Sequence, residues 1–137
     1  MIERILKELG FENARLYDKR CRHYVASVGT YRYYIIFTNS VLRNAKAIFG
    51  KDYGEMLGVR SSILTQDFDF IVWIVDSGSC VEVFIERSYV VHSFCIENRT
   101  VYRNKVTGEY VCNYPKMLTK KIYRRCENGL MKYMKTI

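Results

Sequence analysis

The sequence predicts an α+β fold with a mostly antiparallel sheet, in which a β-hairpin and a β-meander pack with an N-terminal, a middle and a C-terminal helix. Three observations lead to this prediction. An apolar stripe with a helical period opens the chain, short β-rich segments separated by turn signals fill its centre, and a second apolar stripe closes it. The 137 residues, 49% of them hydrophobic, suit one domain over residues 1–137 with a core of its own.

The chain begins with a predicted helix and a predicted hairpin. The helix has apolar residues at i, i+3, i+4 and i+7 and ends at Gly10; these residues are Ile2, Ile5, Leu6 and Leu9. The β-rich segments Cys21–Val28 and Tyr31–Phe37 flank the dipeptide Gly29-Thr30. Because a type II′ turn favours glycine at its first central position, this pattern predicts a tight hairpin.

A second helix and a loop are predicted next. Thr38 or Asn39 can cap the helix, and Gly50 can end it. Its apolar side is formed by Val41, Leu42, Ala45, Ile48 and Phe49. The segment Lys51–Thr65 has no clear period, and we predict an irregular loop with one helical turn near Glu55.

The second half of the chain predicts a meander. The segments Asp67–Asp76 and Cys80–Glu86 flank a turn signal, Asp76-Ser77-Gly78-Ser79. If Val75 pairs with Cys80, one face of the two strands is wholly apolar, formed by Phe70, Val72, Ile74, Val81, Val83 and Ile85. We expect this face to cover the helices.

Further strands and a terminal helix complete the prediction. The strands are Tyr89–Ile96, Thr100–Asn104 and Glu109–Cys112. Pro115 has the fixed backbone angle that suits the first position of a helix. The apolar stripe of that helix is predicted from Leu118, Ile122, Cys126, Leu130, Tyr133 or Met134, and Ile137.

Charge is segregated along the sequence. Residues 1–51 carry 10 basic and 4 acidic side chains, residues 52–97 carry 2 and 8, and residues 98–137 carry 10 and 2. The net charge is +8, concentrated in the two flanking segments. This asymmetry favours a polyanionic partner, DNA or RNA.

The basic ridge of the predicted terminal helix is the leading candidate interface. Its cations are Lys116, Lys120, Lys121, Arg124 and Arg125, and Arg99, Arg103 and Lys105 extend the predicted interface. Such side chains hold phosphates, so binding would weaken steeply with salt. The alternative is a basic face that is only solvated. An earlier basic and aromatic cluster, from Tyr17 to Tyr34, has tyrosines that either stack on bases or pack in the core.

The acidic middle of the chain raises a second hypothesis, a metal-dependent nuclease. In the predicted register, Asp69 faces Glu86 across two strands and Glu82 lies on the same face, which would form a catalytic carboxylate set with Mg²⁺ between Asp69 and Glu86. The interval from Asp69 to Glu82 resembles that of nucleases of the restriction-endonuclease type, which pair an Asp with a later Glu-x-Lys. Here Glu82-Val83-Phe84 lacks the lysine. If the protein is not a nuclease, no cofactor is expected.

Other features bear on location and assembly. The five cysteines are widely spaced without a zinc-binding pattern, which predicts reduced, mostly buried thiols in an intracellular, cytoplasmic protein. The longest apolar run, Phe70–Val75, is too short to span a membrane. The composition, rich in Ile, Tyr, Val, Lys and Arg, resembles that of small proteins of thermophilic archaea and their viruses. A third hypothesis is a homodimeric protein-interaction module that uses an aromatic sheet face. Enzyme activity is left open by the sequence, which favours a non-catalytic binding protein over the nuclease.

Overall fold

The computed structural model describes residues 2–20, 22–126 and 132–134, the last three by their backbone alone. The helices are α1 (Ile2–Glu8), α2 (Ala45–Phe49), α3 (Ser61–Leu64) and α4 (Ser88–Asn98). The strands are β1 (Arg15–Asp18), β2 (His23–Val28), β3 (Tyr31–Thr38), β4 (Met56–Arg60), β5 (Phe70–Asp76), β6 (Cys80–Arg87), β7 (Val101–Arg103), β8 (Tyr110–Pro115), β9 (Lys120–Cys126) and β10 (Lys132–Met134). In this part of the chain, no helix is both long and apolar enough to cross a membrane.

The strands form two sheets. The larger sheet has the order β1-β2-β3-β5-β6-β9-β10, and the smaller sheet has the order β4-β8-β7. Pairing is antiparallel except between β3 and β5, which run parallel in the middle of the larger sheet. The predicted fold class is confirmed, with one parallel pair that makes the larger sheet mixed.

Both faces of the larger sheet are buried, because its central strands alternate apolar side chains to either side. One face packs under α1, where Ile35, Val72 and Val83 meet Leu6 and Phe11. The other face packs against the smaller sheet and helices α3 and α4, with a core that includes Tyr34, Ile36, Trp73, Phe84, Leu57, Tyr114, Val91 and Cys95. The larger sheet is therefore the middle layer of the fold.

The first helix and the first hairpin are confirmed. Ile5, Leu6 and Leu9 are buried, as the helical period predicts. Gly29 has φ +61°, and Thr30 is not among the positive-φ residues, as a type II′ turn requires. The predicted strand began at Cys21, which lies outside the described residues. The tyrosines of this hairpin differ in burial: Tyr33 is buried against Phe70, whereas Tyr31 is exposed.

The predicted terminal helix is wrong. Lys116–Leu118 is a single 3₁₀ turn, and Lys120–Cys126 is strand β9, paired with β6. The apolar residues that suggested a helix are spaced by four, a step that also fits one face of a regular strand. In β9 a bulge beside Ile122 places Ile122 on the α1 side of the sheet and Cys126 on the opposite side. The rest of the predicted stripe, Leu130 and Ile137, lies outside the described residues.

Three other predictions are corrected. Tyr89–Ile96 belongs to helix α4, in which Ser88, Val91 and Cys95 are buried at i, i+3 and i+7. The predicted loop Lys51–Thr65 contains β4 and α3. The middle helix is short because Leu42 pairs with Met56 by backbone hydrogen bonds before α2 begins.

The meander hairpin is shifted by two residues from the predicted register. Val75 pairs with Glu82 instead of Cys80, because the turn is centred one residue later in the sequence, with Asp76 opposite Val81. A shift of two keeps each side chain on its face, so the predicted apolar face is preserved. The shift also separates the predicted carboxylate pair, since Ile71 and not Asp69 lies opposite Glu86.

The cysteines depart from the prediction of reduced thiols. Cys80 and Cys126 are paired residues of β6 and β9 and form a disulfide. Cys95 and Cys112 are free and buried, as predicted. Cys21 lies outside the described residues. The disulfide ties β9 to the larger sheet at the point where the sequence predicted helix.

Candidate functional site

The first part of the basic ridge is engaged by carboxylates of the acidic middle segment. Lys116 Nζ donates to Glu55 at the 3₁₀ turn. On β9, Lys121 Nζ lies 2.8 Å from Glu82 Oε2, and Arg124 Nε lies 3.9 Å from the same oxygen. These contacts neutralise much of the charge that the sequence assigned to a nucleic-acid interface.

The rest of the ridge lies on the same strand without forming one surface. Arg125 is on the α1 side of the sheet, with NH1 3.9 Å from Glu8 Oε1. Lys120 is exposed beside Ile85. Because neighbouring side chains of a strand alternate between its faces, the predicted ridge is divided between the two sides of the sheet.

The carboxylates of the nuclease hypothesis lie apart. Asp69 Oδ2 accepts from the backbone N–H of Arg32 at 2.8 Å, and Glu86 Oε2 accepts from the Tyr114 hydroxyl at 3.0 Å. Glu82 is held by the two β9 cations described above. Among the described residues, no group of three His, Cys, Asp or Glu side chains could hold a metal ion.

The remaining predicted cations lie on or beside the β7–β8 hairpin. Arg103 and Lys105 are exposed on the hairpin, and Arg99 precedes it with φ 55°. Within the described part of the chain, none of the three forms an ion pair. Arg103 pairs across the hairpin with Tyr110, which is 59% exposed, and its Nε donates to the Gly108 carbonyl at 3.2 Å.

The tip of this hairpin has a defined shape. Asn104 Oδ1 accepts from the backbone N–H groups of Val106 and Thr107 at 2.9 and 3.1 Å. Val106 is 94% exposed at the tip. The Asn104 side chain therefore orders the backbone of this turn, on which the neighbouring cations Arg103 and Lys105 lie.

A cleft of about 450 Å³ lies beside the hairpin, between the smaller sheet and the ends of β2 and β3. On β4, the side chains of Met56 and Arg60 face the cleft along with position 58, a glycine. The other walls come from β2, β3, β7, β8 and the segment after β3, and include His23, Thr38, Ser40, Leu42, Tyr102 and Asn113. The volume is in the range of pockets that hold small molecules.

One end of the cleft carries a chain of hydrogen bonds. Arg60 NH2 donates to the hydroxyl oxygen of Tyr34 at 3.1 Å, and Tyr34 is fully buried. The Tyr34 hydroxyl also contacts His23 Nδ1. Which group donates in this contact depends on the tautomer of the imidazole.

The same environment keeps His23 neutral. Burial, with the positive charge of Arg60 as a second cause, lowers the pKa of His23 from 6.5 to about 4. The histidine is therefore a neutral hydrogen-bonding group at pH 7. The positive charge at this end of the cleft belongs to Arg60, which also lies 3.4 Å from Glu109.

The chain matches no model of a protein family, no curated protein and no solved structure. The site must therefore be interpreted from its own geometry. Two features stand together, an exposed basic and aromatic hairpin and a cleft that shares Tyr102 and Asn104 with it.

Sequence reasoning found the hairpin cations but missed the cleft. His23 belonged to the early basic and aromatic cluster, but the tyrosines of that cluster were the predicted stacking or core residues. Arg60 lies in the segment predicted as a loop, and Asn113 lies between the predicted strand Glu109–Cys112 and the helix predicted to begin at Pro115. A signal was present, since Arg60 is one of only 2 basic side chains among residues 52–97.

We expect the buried His23 to make folding stability depend on pH. Its folded-state pKa of about 4 lies below the unfolded value of 6.5, so the unfolded chain takes up the proton first as the pH falls. Stability is therefore lost as the pH falls from about 6.5 to about 4, and this contribution is constant outside that window. Urea unfolding at about pH 7.5 and about pH 4.5 measures the loss.

Replacement of each histidine in turn isolates this contribution. We expect His23→Gln to lose less stability on acidification than the wild-type protein, and the matched variant His92→Gln to lose as much as the wild type. Equal losses in all three proteins would contradict the assignment.

Proposed function

We propose that this protein is a nucleic-acid-binding domain that uses the β7–β8 hairpin. The observation that carries the proposal is the cross-strand pair of Arg103 and Tyr110, an exposed cation beside an exposed aromatic ring. Lys105 at the tip and Arg99 at the base add two more exposed cations. A cation holds a phosphate while the neighbouring ring offers its face to a base.

The distribution of ion pairs favours the β7–β8 hairpin over the basic ridge as the nucleic-acid interface. A cation of the ridge must leave a carboxylate to reach a phosphate, as Lys121 must leave Glu82. The hairpin cations have no such competitor within the described residues. The one carboxylate of the hairpin, Glu109, is directed to Arg60 at 3.4 Å. The hairpin therefore releases condensed counterions from nucleic acid without a compensating loss of protein ion pairs.

Replacing both hairpin cations with alanine should weaken binding to a single-stranded oligonucleotide by at least about tenfold at low salt. Two lost phosphate contacts should also reduce the slope of log K against log salt by about 1.4, since each contact to a single strand contributes about 0.7. Fluorescence anisotropy of Arg103→Ala/Lys105→Ala across a salt series measures both values. Both residues are exposed, so the fold should be unaffected.

A ridge variant provides the matched control. Lys120→Gln/Lys121→Gln removes the same charge from β9, and we expect a much smaller change in affinity and slope. A larger loss of affinity in Lys120→Gln/Lys121→Gln than in Arg103→Ala/Lys105→Ala would place the interface on the ridge instead. Absence of binding by the wild-type protein at low salt and micromolar concentration would contradict the proposal as a whole.

Tyr110 tests which form of nucleic acid is bound. Stacking on an unpaired base contributes about 1–3 kcal/mol, so Tyr110→Ala should weaken binding to a single strand and leave binding to a duplex unchanged. Homodimer formation remains a separate prediction, which measurement of the molecular mass in solution tests.

A further inference from the structure

The side chains that line the cleft change from apolar to polar to cationic along its length. Met56, position 58 and Arg60 face it from one strand, and residues two apart on a strand are separated by about 6.6–6.8 Å. The cleft therefore has a cationic end at Arg60 and an apolar end beside Leu42, which pairs with the fully buried Met56. Asn113 lies across from Gly58 in the strand register, so a polar group marks the middle.

Asn113 presents an acceptor to this middle region. The residue is 2% exposed, and its Nδ2 is within 3.3 Å of the Val111 carbonyl and 3.5 Å of the Thr100 carbonyl. Both neighbours are acceptors, so the amide nitrogen must face them and the oxygen must face the other way. Within the described part of the chain, Oδ1 receives no protein hydrogen bond and is not one of the fully buried polar atoms, so it is accessible from the cleft that Asn113 lines.

The glycine at position 58 leaves space beside this oxygen. A Cβ at this position would lie 3.6 Å from Asn113 Oδ1 and 3.1 Å from Val111 Cγ1. The backbone does not demand glycine here, since Gly58 is not among the positive-φ residues. The missing side chain therefore opens the floor of the cleft beside the acceptor.

The cationic end is prepared for an anion. Tyr34 holds Arg60 NH2 at 3.1 Å, and the Arg60 side chain is 21% exposed. Its carboxylate neighbour Glu109 is 46% exposed and lies at 3.4 Å, so an incoming anion can displace it toward solvent. The neutral His23 beside Tyr34 adds hydrogen-bonding capacity without a second charge.

We infer that the cleft binds one nucleotide whose base carries an exocyclic amine. The phosphate lies at Arg60, and the base, whose amine donates to Asn113 Oδ1, contacts the apolar end beside Val41 and Leu42. The choice of a nucleotide rests on the proposed function, because the hairpin that shares Tyr102 and Asn104 with the cleft would deliver a strand to its edge. The cleft chemistry itself requires an anion, a nearby N–H donor and an apolar body.

The first experiment measures calorimetric binding of adenosine monophosphate to the full chain. The comparison ligand is purine riboside monophosphate, which has the same ring and phosphate but lacks the amine. A base without the amine would cover Asn113 Oδ1 and leave it without a donor, so the ligand with the amine should bind at least about fivefold more tightly. Equal affinities, or no binding of adenosine monophosphate at millimolar concentration, would overturn the inference.

A second experiment locates the site. Ser40 is exposed and lines the cleft, so Ser40→Trp should fill the entrance without disturbing the core. Ser93→Trp places the same ring on the exposed side of α4, away from the cleft, as a matched control. We expect at least about tenfold weaker mononucleotide binding in Ser40→Trp and unchanged binding in Ser93→Trp. Equal binding by both variants would overturn the inference.

A single-stranded oligonucleotide distinguishes the two proposals. If it binds the wild type and Ser40→Trp equally well, the hairpin interface stands and the cleft has no part in it. If the mononucleotide binds in the cleft and the oligonucleotide does not bind at all, the cleft is a site for free nucleotides and the proposed nucleic-acid function fails. Weaker binding of both ligands to Ser40→Trp supports a strand that places one nucleotide in the cleft.

Discussion

Replacement of Trp73 by alanine should lower the free energy of unfolding by about 3–5 kcal/mol. The indole is fully buried in the middle of β5, in the core between the larger sheet and the smaller sheet. Its Nε1 donates to the Gly58 carbonyl at 2.9 Å, which ties β5 to β4. Alanine would remove both the packing of the ring and the hydrogen bond, and the surrounding strands are too constrained to close the cavity.

Two further variants divide and control this effect. Trp73→Phe keeps most of the ring but leaves the Gly58 carbonyl without its donor, and we expect a loss of about 1–3 kcal/mol. Val106→Ala, at the exposed hairpin tip, should change stability by less than about 0.5 kcal/mol. Urea unfolding followed by far-ultraviolet circular dichroism measures all three. A loss below about 1 kcal/mol in Trp73→Ala would show that the two sheets do not share this core.

Removal of the Cys80–Cys126 disulfide should lower the free energy of unfolding by about 2–4 kcal/mol. The bond joins residues separated by 46 positions, so it restricts a long loop of the unfolded chain. It also joins the last residue of β9 to the first residue of β6. The variant Cys80→Ala/Cys126→Ala and the reduced wild-type protein should show similar losses.

The double variant is also the control for reduction. A reductant should lower the unfolding midpoint of the wild type and leave that of Cys80→Ala/Cys126→Ala unchanged. Mass measurement before and after reduction should show two protons gained by this pair. A wild-type protein whose unfolding is insensitive to reductant would contradict a stabilising disulfide. Disulfides persist in oxidising compartments and in the cells of hyperthermophiles, so the cytoplasmic location remains a prediction.

The local patterns that the sequence predicted correctly are those with one interpretation. The period from Ile2 to Leu9 fits only a helix, and the glycine between two β-rich segments fits only a tight turn. The spacing of Leu118, Ile122 and Cys126 has two interpretations, because a step of four is common to both periods. Pairing with β6 decided between them, and that pairing lies about 40 residues away in the sequence.

The residues of the candidate site also divide into those that the sequence could predict and those that it could not. Arg103 and Lys105 could be found from the sequence because exposure of a charged turn is a local property. The partners of the ridge could not be found, since Glu55 and Glu82 reach Lys116 and Lys121 only through the tertiary fold. Some of the acidic and basic side chains that seemed to mark separate functions in the sequence therefore pair with each other in the structure.

The pairing of the smaller sheet has a consequence for how the chain folds. Its strands β4 and β8 come from segments about 50 residues apart, and the chain between them contributes β5, β6 and α4. The parallel contact of β3 with β5 likewise joins segments on either side of a long crossover. Such non-local contacts must close large loops before they gain any stabilising energy. We therefore expect the pairing of β4 with β8, and with it the cleft, to form after the local hairpins of the molecule.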